Sequence, residues 1–284
     1  MTAVLSAPAH SAAATAPRRR HGPLRWLREH IIVLVAALAF VYMLLPNAVV
    51  IAYSFNRPAG RFNYTWQAFS FDAWAHPCGA PGLCSALGLS LRIGLAATVL
   101  STALGTLAAF AIARHRFRGR SATNLLIFLP MATPEVVMGS SLLTLFVNLR
   151  FPLGAGAILI AHVMFDISFV IVTVKARIAG LDPRLEQAAM DLYANERQTF
   201  TRVTLPLVAP GIAAAALLAF ALSFDDYIIT NFNASASSVT FPMYVYGAAS
   251  KGTPVQINVI GTVMFVLALL AVGIGQLTGR RRAR

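Results

Sequence analysis

The stretch AGAILIAHVMFDISFVIVTV, residues 155–174, contains 20 consecutive positions with one formal charge, at Asp166. In an α-helix, about 20 apolar residues span the hydrocarbon core of a bilayer, which is about 30 Å thick. Because lipid cannot hydrogen-bond to the backbone, a crossing segment is either a helix or a strand of a closed barrel. Barrel strands have about 10 residues of alternating polarity, a pattern that this stretch lacks. The stretch therefore predicts a transmembrane helix.

Five more segments of the sequence have the same length and apolar character. Of the 284 residues, 57% are hydrophobic and 12% are charged, and the mean hydropathy is +0.68, whereas soluble domains have about 25% charged residues. This composition excludes a soluble globular domain and a disordered chain. We predict an all-α polytopic membrane protein with six transmembrane helices. The predicted spans are Ile31–Ser54, Leu87–Ala113, Leu125–Val147, Ala155–Val174, Val208–Ile229 and Ile257–Gln276.

The charge of the chain is strongly basic, with 23 Lys and Arg against 10 Asp and Glu and a net charge of +13. In a soluble protein this excess would suggest binding to nucleic acid. Here 18 of the 23 basic residues lie in the N-terminal tail, the connections between spans two and three and between spans four and five, and the C-terminus. The positive-inside rule then places both termini in the cytoplasm. It accounts for most of the charge, so nucleic acid is excluded as a partner.

The chain divides into three parts. Residues 1–30 are predicted to form a disordered cytoplasmic tail, residues 31–278 the transmembrane domain in contact with lipid, and residues 279–284 a basic cytoplasmic C-terminus. The apolar stretch that follows the tail is far longer than the about 7–15 residues of a signal peptide. We therefore interpret it as a retained first span.

The two cysteines lie in the predicted outside loop between the first two spans. Five residues, including two Gly and one Pro, separate Cys78 from Cys84, so the chain can bend back between them. Disulfides persist in oxidising compartments. The spacing predicts a disulfide, and the alternative is two unpaired thiols at the membrane surface.

A long cytoplasmic connection, residues 175–207, contains a predicted amphipathic helix. Asp182 and Pro183 are a typical helix start, because Asp caps a helix and Pro suits its first position. Apolar residues then recur at helical spacing. A helix this short needs a docking surface. The alternative, a helix lying on lipid, is disfavoured by its acidic residues because the inner leaflet is negative. The apolar positions are Leu185, Ala188, Ala189, Leu192 and Tyr193.

Segment 182–206 resembles the EAA motif of ATP-binding-cassette importer permeases. The family pattern is Glu-Ala-Ala, three residues, Gly, and nine residues to an apolar-x-Leu-Pro ending. Here Gln187 replaces the Glu of the triplet, and Glu186 lies one position earlier. Tyr193 stands where the family usually has Gly, and Pro206 matches the closing Pro.

The resemblance covers residues 30 to 278 and is greatest to the second permease of polyamine-type importers. It includes FRGR (117–120), LPMATPEVVMG (129–139), AHV (161–163), AFALSFDDYIIT (219–230) and FPMYVY (241–246). It implies a type I importer fold in which segment 182–206 is the coupling helix of a cytoplasmic ATPase dimer. The implied coupling residues are Arg184, Glu186, Gln187, Ala188, Ala189, Asp191, Leu192, Tyr193, Ala194 and Pro206.

The same resemblance implies the other subunits and the location. We expect an extracytoplasmic solute-binding protein and a second permease subunit, either a different chain or a copy of this one, in a bacterial inner membrane. The sequence has no Gly-x-x-x-x-Gly-Lys-Ser/Thr motif, which cradles nucleotide phosphates. We therefore expect no cofactor on this chain, with ATP and Mg on the partner ATPase. No metal-ligand cluster or nucleophile–base pair is present, so an enzyme is not predicted.

Four carboxylates fall within the predicted spans. Ionisable residues are costly in a membrane and usually functional. Glu135 and Asp166 lie near mid-depth, and Asp225 and Asp226 lie in the outer half of the fifth span beside Tyr227. No Lys or Arg lies deep in any span, so these five residues are predicted to line a pathway for a cation such as a polyamine.

Structural roles are the alternative for two of these carboxylates. Pro130 and Pro134 interrupt the third span, and Glu135 could satisfy the backbone N–H groups that a break frees. His162 lies one turn from Asp166 and could pair with it.

The leading hypothesis is a permease subunit that moves spermidine or putrescine by alternating access, powered by a partner ATPase. The alternatives are a permease for another small organic solute and a secondary transporter driven by protons through Asp166 and His162. Secondary transporters often have inverted repeats or paired broken helices. The sequence shows no clear repeat.

Overall fold

A computed structural model describes the backbone of residues 23–115 and 117–282. It describes the side chains of residues 30–115, 117–271, 273 and 275. These residues form helices without strands, apart from one isolated bridge between Asn56 and Phe69. A π-helical turn spans Phe200–Thr204. The helices are α1 (Pro23–Tyr53), α2 (Asp72–Ala75), α3 (Leu83–Arg114), α4 (Arg120–Ala132), α5 (Glu135–Asn148), α6 (Ala155–Ala179), α7 (Arg184–Asp191), α8 (Glu196–Thr199), α9 (Leu205–Asp225), α10 (Ile228–Asn233), α11 (Phe241–Lys251) and α12 (Val255–Arg282).

The apolar segments of the sequence coincide with the long helices. Among the described residues, four helical stretches are long and apolar enough to cross a membrane, and the bent pair α4–α5 could be a fifth. The sixth predicted span, Ile257–Gln276, lies in α12, which continues to Arg282 beyond the apolar stretch Val255–Ala271. The all-α architecture is confirmed, whereas six crossings are not all reproduced. The four stretches are His30–Tyr53, Leu83–Arg114, Ala155–Ala179 and Glu196–Asp225.

The N-terminal tail, predicted as residues 1–30, falls mostly outside the described residues. Helix α1 already begins at Pro23, so the last part of that segment is helical rather than disordered. At the other end, residues 279–282 continue α12. Residues 283–284 lie outside the described part of the chain.

The third predicted span, Leu125–Val147, is interrupted, as its prolines indicated. Helices α4 and α5 meet at an angle of 105°. The residue before a proline is pushed out of the helical region, and Thr133, which precedes Pro134, is extended with ψ of 131°. Pro130 is accommodated inside α4 without ending it. The bend directs α5 back against α10, where Gly139 leaves room for the ring of Phe232.

The fifth predicted span, Val208–Ile229, is also interrupted. Helix α9 ends at Asp225, and Asp226 has an extended backbone with ψ of 124°. The short helix α10 follows from Ile228. The backbone N–H groups of Ile229 and Thr230 donate to the Asp226 carboxylate over 3.3 and 2.7 Å. One intramembrane carboxylate therefore stabilises the start of α10.

The core of residues 50–284 forms where α3, α6 and α9 pack together. Small residues at helix interfaces allow close backbone approach in membranes. At Gly105, a β-carbon would lie only 2.7 Å from a methyl group of Val170, so only glycine fits there. Ala109, Ala215 and Ala219 are fully buried in the same cluster. These small side chains set the close spacing of the three helices.

Cys78 lies in the loop before α3, and Cys84 is the second residue of that helix. Cys78 and Cys84 are joined by a disulfide with their Cα atoms 5.4 Å apart. Gly82 adopts φ of +79° immediately before α3, in the left-handed region that favours glycine. The hydroxyl of Tyr244 on α11 donates to the Pro81 carbonyl over 3.2 Å. We call this part of the molecule the disulfide end and the opposite part, which carries α7, the α7 end.

Candidate functional site

The predicted coupling segment forms α7, Arg184–Asp191, followed by a tight turn. The Arg184 N–H donates to Asp182 Oδ1 over 2.9 Å, so Asp182 stabilises the helix start as expected. The helix ends earlier than the apolar pattern predicted. Tyr193 donates to the Met190 carbonyl and Ala194 to the Ala189 carbonyl, which is the hydrogen-bond pattern of a Schellman motif.

Tyr193 occupies the position in this turn that usually requires glycine. Its φ of +62° lies in the left-handed region, which is uncommon for a residue with a bulky side chain. The family pattern has Gly at this position, and the structure explains why: the turn needs positive φ. The tyrosine keeps the turn and adds a ring that is 97% exposed.

Several apolar residues of α7 and its turn are exposed. Leu192 is 81% exposed, Leu185 is 46% exposed, and Ala188 is also exposed. Together with Tyr193 they form what we call the docking surface: Leu185, Ala188, Leu192 and Tyr193. Exposed apolar groups clustered on a surface mark interaction sites. No described residue of α7 is buried.

The remaining predicted coupling residues differ in exposure. Gln187, Arg184 and Asp191 are exposed, whereas Ala189 and Ala194 are partly covered. Pro206 lies in the first turn of α9, where proline is well tolerated.

Glu186 points from α7 into the bundle instead of outward. Both of its carboxylate oxygens accept hydrogen bonds from the Arg114 guanidinium at the end of α3, one of them from Nη1 over 3.0 Å. The Thr204 hydroxyl donates to Oε1 over 2.6 Å. The Arg114 hydrogen bonds hold the pKa of the Glu186 carboxyl below its usual range. Glu186 is therefore ionised at neutral pH and bound within its own chain.

Two more basic residues hold helices together at the α7 end. Arg177 on α6 donates from Nε and Nη2 to the Leu207 carbonyl on α9, over 3.1 and 2.9 Å. Gly211 has no side chain where the stem of Arg177 passes over α9. Lys175 donates to Asn124 Oδ1 on α4 over 2.8 Å. Lys175 and Arg177 therefore not only contribute positive charge but also connect neighbouring helices.

Within the membrane domain, His162 on α6 joins both sides of the break between α9 and α10. Its Nδ1 lies 2.7 Å from the Ser223 hydroxyl, and its Nε2 lies 2.9 Å from the Thr230 hydroxyl and 3.3 Å from Asp226 Oδ2. The Thr230 hydroxyl also donates to Asp226 over 2.7 Å. The side chains of His162 and Asp226 are 3% and 7% exposed. We call these four residues the His162 network.

Asp166 does not pair with His162, so that alternative from the sequence is wrong. Asp166 is fully buried, and neither carboxylate oxygen has a hydrogen-bond partner among the described residues. His162 lies one turn away on the same helix but binds residues of α9 and α10. Side chains one turn apart are close enough to interact, but here tertiary partners replace the local one. In this conformation Asp166 lines no open surface.

Asp225 and Asp226 face different surroundings, as expected for adjacent residues near a helix end. Asp225 is exposed, whereas Asp226 belongs to the His162 network. The ring of Tyr227 stacks on Tyr246 of α11 with the ring centroids 4.4 Å apart. Tyr246 is 65% exposed. The break between α9 and α10 therefore presents an exposed carboxylate close in sequence to an aromatic pair.

Glu135 is the first residue of α5 and is exposed. An acidic group in the first turn favourably meets the positive end of the helix dipole. No hydrogen bond of its side chain to another described residue is present. It remains a candidate for the pathway, whereas backbone capping by its side chain is not observed.

Sequence reasoning missed four contributors to these sites: Arg114, Ser223, Thr230 and Tyr246. Arg114 was counted only as a topological charge. Ser223 and Thr230 flank Asp225 and Asp226 at helical spacing, a signal that could have suggested a polar cluster. Tyr246 lies in FPMYVY, a stretch that contributes to the family resemblance but gives no sign of a role at this site. Among the described residues, no group of three or more His, Cys, Asp or Glu could hold a metal ion.

Comparison with known proteins identifies relatives over most of the chain. Residues 101–281 match the family "Binding-protein-dependent transport system inner membrane component". The spermidine/putrescine transport system permease protein PotC of Escherichia coli is 34% identical over 245 residues, which cover 86% of this chain and 92% of that protein. The putrescine transport system permease protein PotI of Escherichia coli is 35% identical over 249 residues, covering 85% and 86%.

A solved structure supports the fold at lower identity. The bacterial alginate ABC transporter in complex with its alginate pentasaccharide-bound periplasmic protein contains a similar chain with a TM-score of 0.64 and 16% identity. The match covers 91% of this chain and 97% of the other. The predicted family, the permease fold and the assignment as a transport subunit instead of an enzyme are confirmed. The chain is a multi-pass membrane protein and belongs to the family of binding-protein-dependent transport system inner membrane components.

Proposed function

We propose that this chain is one permease subunit of an ATP-driven importer that passes a polyamine, spermidine or putrescine, through the bacterial inner membrane by alternating access. PotC is a spermidine/putrescine permease and PotI a putrescine permease, and both are at least 34% identical to this chain over most of their length, which supports this substrate class. The family match supports the transport role.

The proposal that a separate ATPase powers the import rests on the docking surface. Four apolar residues on one side of α7 and its turn are exposed, two of them by more than 80%. A helix of this length is not stable through its own hydrogen bonds and needs tertiary packing. Burying these side chains in a cleft of an ATPase subunit would supply apolar contact at about 25 cal/mol per Å². We assign the docking surface to that contact.

The remaining partners follow from the same family. We propose a dimer of ATPase subunits that bind ATP and Mg, a second permease subunit, and an extracytoplasmic solute-binding protein that delivers the polyamine. The distribution of arginines favours the α7 end, together with both termini, on the cytoplasmic side. The disulfide end would then face the oxidising compartment, where Cys78 and Cys84 are stable as a disulfide.

The substrate class also suits the break between α9 and α10. An alkyl diammonium ion is attracted by carboxylates and by the faces of aromatic rings. Asp225 is exposed, and Tyr227, two residues further along the chain, stacks on Tyr246. We assign these three residues to the substrate pathway, with Glu135 as a further candidate on α5.

The test is reconstitution of the complex that contains this chain. The tagged chain is purified from its own bacterial membranes, co-purifying proteins are identified, and uptake of radiolabelled putrescine and spermidine into proteoliposomes is measured with and without ATP. Ala188→Asp places a carboxylate on the docking surface, where an unpaired charge buried on docking costs about 3–5 kcal/mol. Thr201→Asp is the matched control, because Thr201 is exposed but lies outside this surface.

We expect an ATPase to co-purify with the wild-type chain and with Thr201→Asp, and to be lost with Ala188→Asp. ATP-dependent uptake of polyamine should follow the same order. Uptake driven by a proton gradient without ATP would contradict the proposal in favour of a secondary transporter. ATP-dependent uptake of another solute alone would overturn the substrate class but not the transport mechanism.

A further inference from the structure

Arg114, Glu186 and Thr204 form a small polar cluster at the α7 end, which we call the Arg114 clamp. The Arg114 guanidinium donates to both oxygens of Glu186 and its Nη2 lies 3.5 Å from the Thr204 hydroxyl. Two parallel hydrogen bonds between Arg and a carboxylate fix the relative orientation of both groups. The side chains of Arg114 and Glu186 are 38% and 25% exposed, so the clamp is partly shielded from solvent.

The clamp joins three segments that are far apart in the sequence. Arg114 is the last residue of α3, Glu186 lies on α7, and Thr204 ends the π-helical turn that leads into α9. Thr204 is only 1% exposed, and its hydroxyl donates to Glu186. One turn before Arg114, the ring of Phe110 packs edge-on against Phe200 of the π-helical turn at 5.2 Å. Polar and aromatic contacts therefore hold α7 onto the ends of two membrane helices.

Glu186 is distinguished from Asp191, the other acidic residue of α7. Asp191 is exposed and makes no hydrogen bond with its side chain to another described residue, whereas Glu186 makes three contacts within the chain. A carboxylate already bonded to a guanidinium has little free capacity for a partner protein. The Glu186 carboxylate is therefore engaged within its own chain, whereas the residues of the docking surface are exposed.

We infer that the Arg114 clamp transmits the movement of the ATPase-docked α7 to the ends of α3 and α9, so that Arg114, Glu186 and Thr204 are positioning residues for transport. The inference rests on the proposed function, because it needs an ATPase bound at the docking surface. Docking and transmission then use different side chains of one short helix. Loss of the clamp leaves the ATPase bound and able to hydrolyse ATP, but α7 moves without the membrane helices.

The experiment measures three quantities for each purified complex: the amount of ATPase bound, ATP hydrolysis, and ATP-dependent uptake of putrescine in proteoliposomes. The variants are Arg114→Glu, Glu186→Arg and the exchange of both charges, Arg114→Glu with Glu186→Arg. Thr204→Val removes the hydroxyl with little change in shape and tests the clamp if a charge variant does not assemble. Glu196→Gln is the matched control, since it removes an exposed carboxylate from the neighbouring helix α8, outside the clamp and the predicted coupling residues.

We expect both single charge variants to bind ATPase normally and to hydrolyse ATP, while uptake per ATP hydrolysed falls about tenfold, within the usual range of coupling between sites. Exchange of both charges should restore most of the uptake. Thr204→Val should give an intermediate loss, and Glu196→Gln none.

Uptake per ATP that is unchanged in the single variants would overturn the inference. So would loss of bound ATPase in Glu186→Arg that the charge exchange does not repair, because Glu186 would then contact the ATPase directly. Failure of the wild-type complex to bind an ATPase or to import putrescine would contradict the proposed function instead. Measurements on the wild-type complex alone test this point, independently of the variants.

Discussion

His162 Nε2 on α6 lies 3.3 Å from Asp226 Oδ2, which lies at the break between α9 and α10. Asp166 is one turn from His162 on α6 and has no hydrogen-bond partner among the described residues. The His162–Asp226 pair connects residues 64 positions apart in the sequence. Ser223 and Thr230 bind the same imidazole from the two sides of the break. His162 therefore fixes the angle between α9 and α10, and Asp226 is held by this network instead of facing a pathway.

This arrangement predicts opposite results for two substitutions on α6. His162→Ala leaves the buried Ser223 hydroxyl without its partner and removes one of the contacts of Asp226. An unsatisfied buried group costs about 1–3 kcal/mol. Asp166→Asn keeps the size of the side chain and removes no hydrogen bond seen in the structure. We expect His162→Ala to lower the thermal midpoint of the purified chain in detergent, and Asp166→Asn to leave both the midpoint and transport close to wild type.

The control for His162→Ala is His76→Ala, because His76 is exposed at the disulfide end. If Asp166→Asn abolishes transport in a normally assembled complex, Asp166 acts on substrate or protons in another conformation of the cycle.

Asp225 and Asp226 differ in exposure, and this predicts that replacing each by Asn has a different effect. Asp225→Asn removes an exposed charge, and a charge-assisted contact is worth about 1.5–3 kcal/mol, or roughly a ten- to hundredfold effect. Uptake of putrescine should fall by about that factor with normal expression and ATPase activity. Asp226→Asn should instead lower the amount of assembled complex, because Asp226 stabilises the start of α10 and accepts from Thr230.

Asp72→Asn serves as the comparison, since Asp72 is an exposed acid of the short helix α2. Wild-type uptake rates for both Asp225→Asn and Asp226→Asn would show that the pathway does not use their charge and that selection of the solute lies with the solute-binding protein.

The parts of the fold that depend on local composition could be predicted from the sequence. The stretch Ala155–Val174 is helical throughout, and α6 extends it only to Ala179. An apolar run of this length has one stable form in lipid, because every backbone group must bond within the segment. The prolines of the third span likewise indicated a break, although the sequence could not give the 105° angle between α4 and α5.

The contacts that build the site could not be predicted in the same way. Helical periodicity reports neighbours three or four positions apart, and it suggested His162 with Asp166. The observed partners of His162 lie 61 to 68 positions away, and Arg114 reaches Glu186 across 72. Such pairs depend on how whole helices pack, here on the close approach of α3 and α6 at Gly105.

The geometry of Cys78 and Cys84 predicts that both thiols are oxidised in cells. Their Cα atoms are 5.4 Å apart, within the usual range for a disulfide. A membrane-impermeant maleimide should label neither cysteine in intact cells, and both only after reduction and denaturation. Cys78→Ser with Cys84 retained is the positive control, because it leaves one thiol free. Labelling of both wild-type cysteines without reductant would show that the bridge is absent.

The left-handed turn at Tyr193 separates two contributions to docking, the backbone shape and the ring. Tyr193→Gly keeps the turn and relieves the strain of a bulky residue at φ of +62°. Tyr193→Ala keeps the strain without the ring. Because the ring is 97% exposed in this chain, its removal should not destabilise the permease. The thermal midpoint of Tyr193→Gly should equal or exceed that of wild type, and that of Tyr193→Ala should be lower than that of Tyr193→Gly.

Both variants should bind the ATPase more weakly if the ring enters the ATPase cleft, since fully burying an aromatic side chain is worth about 1.5–3 kcal/mol. We expect roughly tenfold weaker association for Tyr193→Gly, measured by titrating purified ATPase onto the permease in detergent. Tyr193→Phe keeps the apolar ring and should bind nearly as wild type. Full affinity in Tyr193→Gly would mean that only the shape of the turn matters and that Leu185, Ala188 and Leu192 alone make the apolar contact.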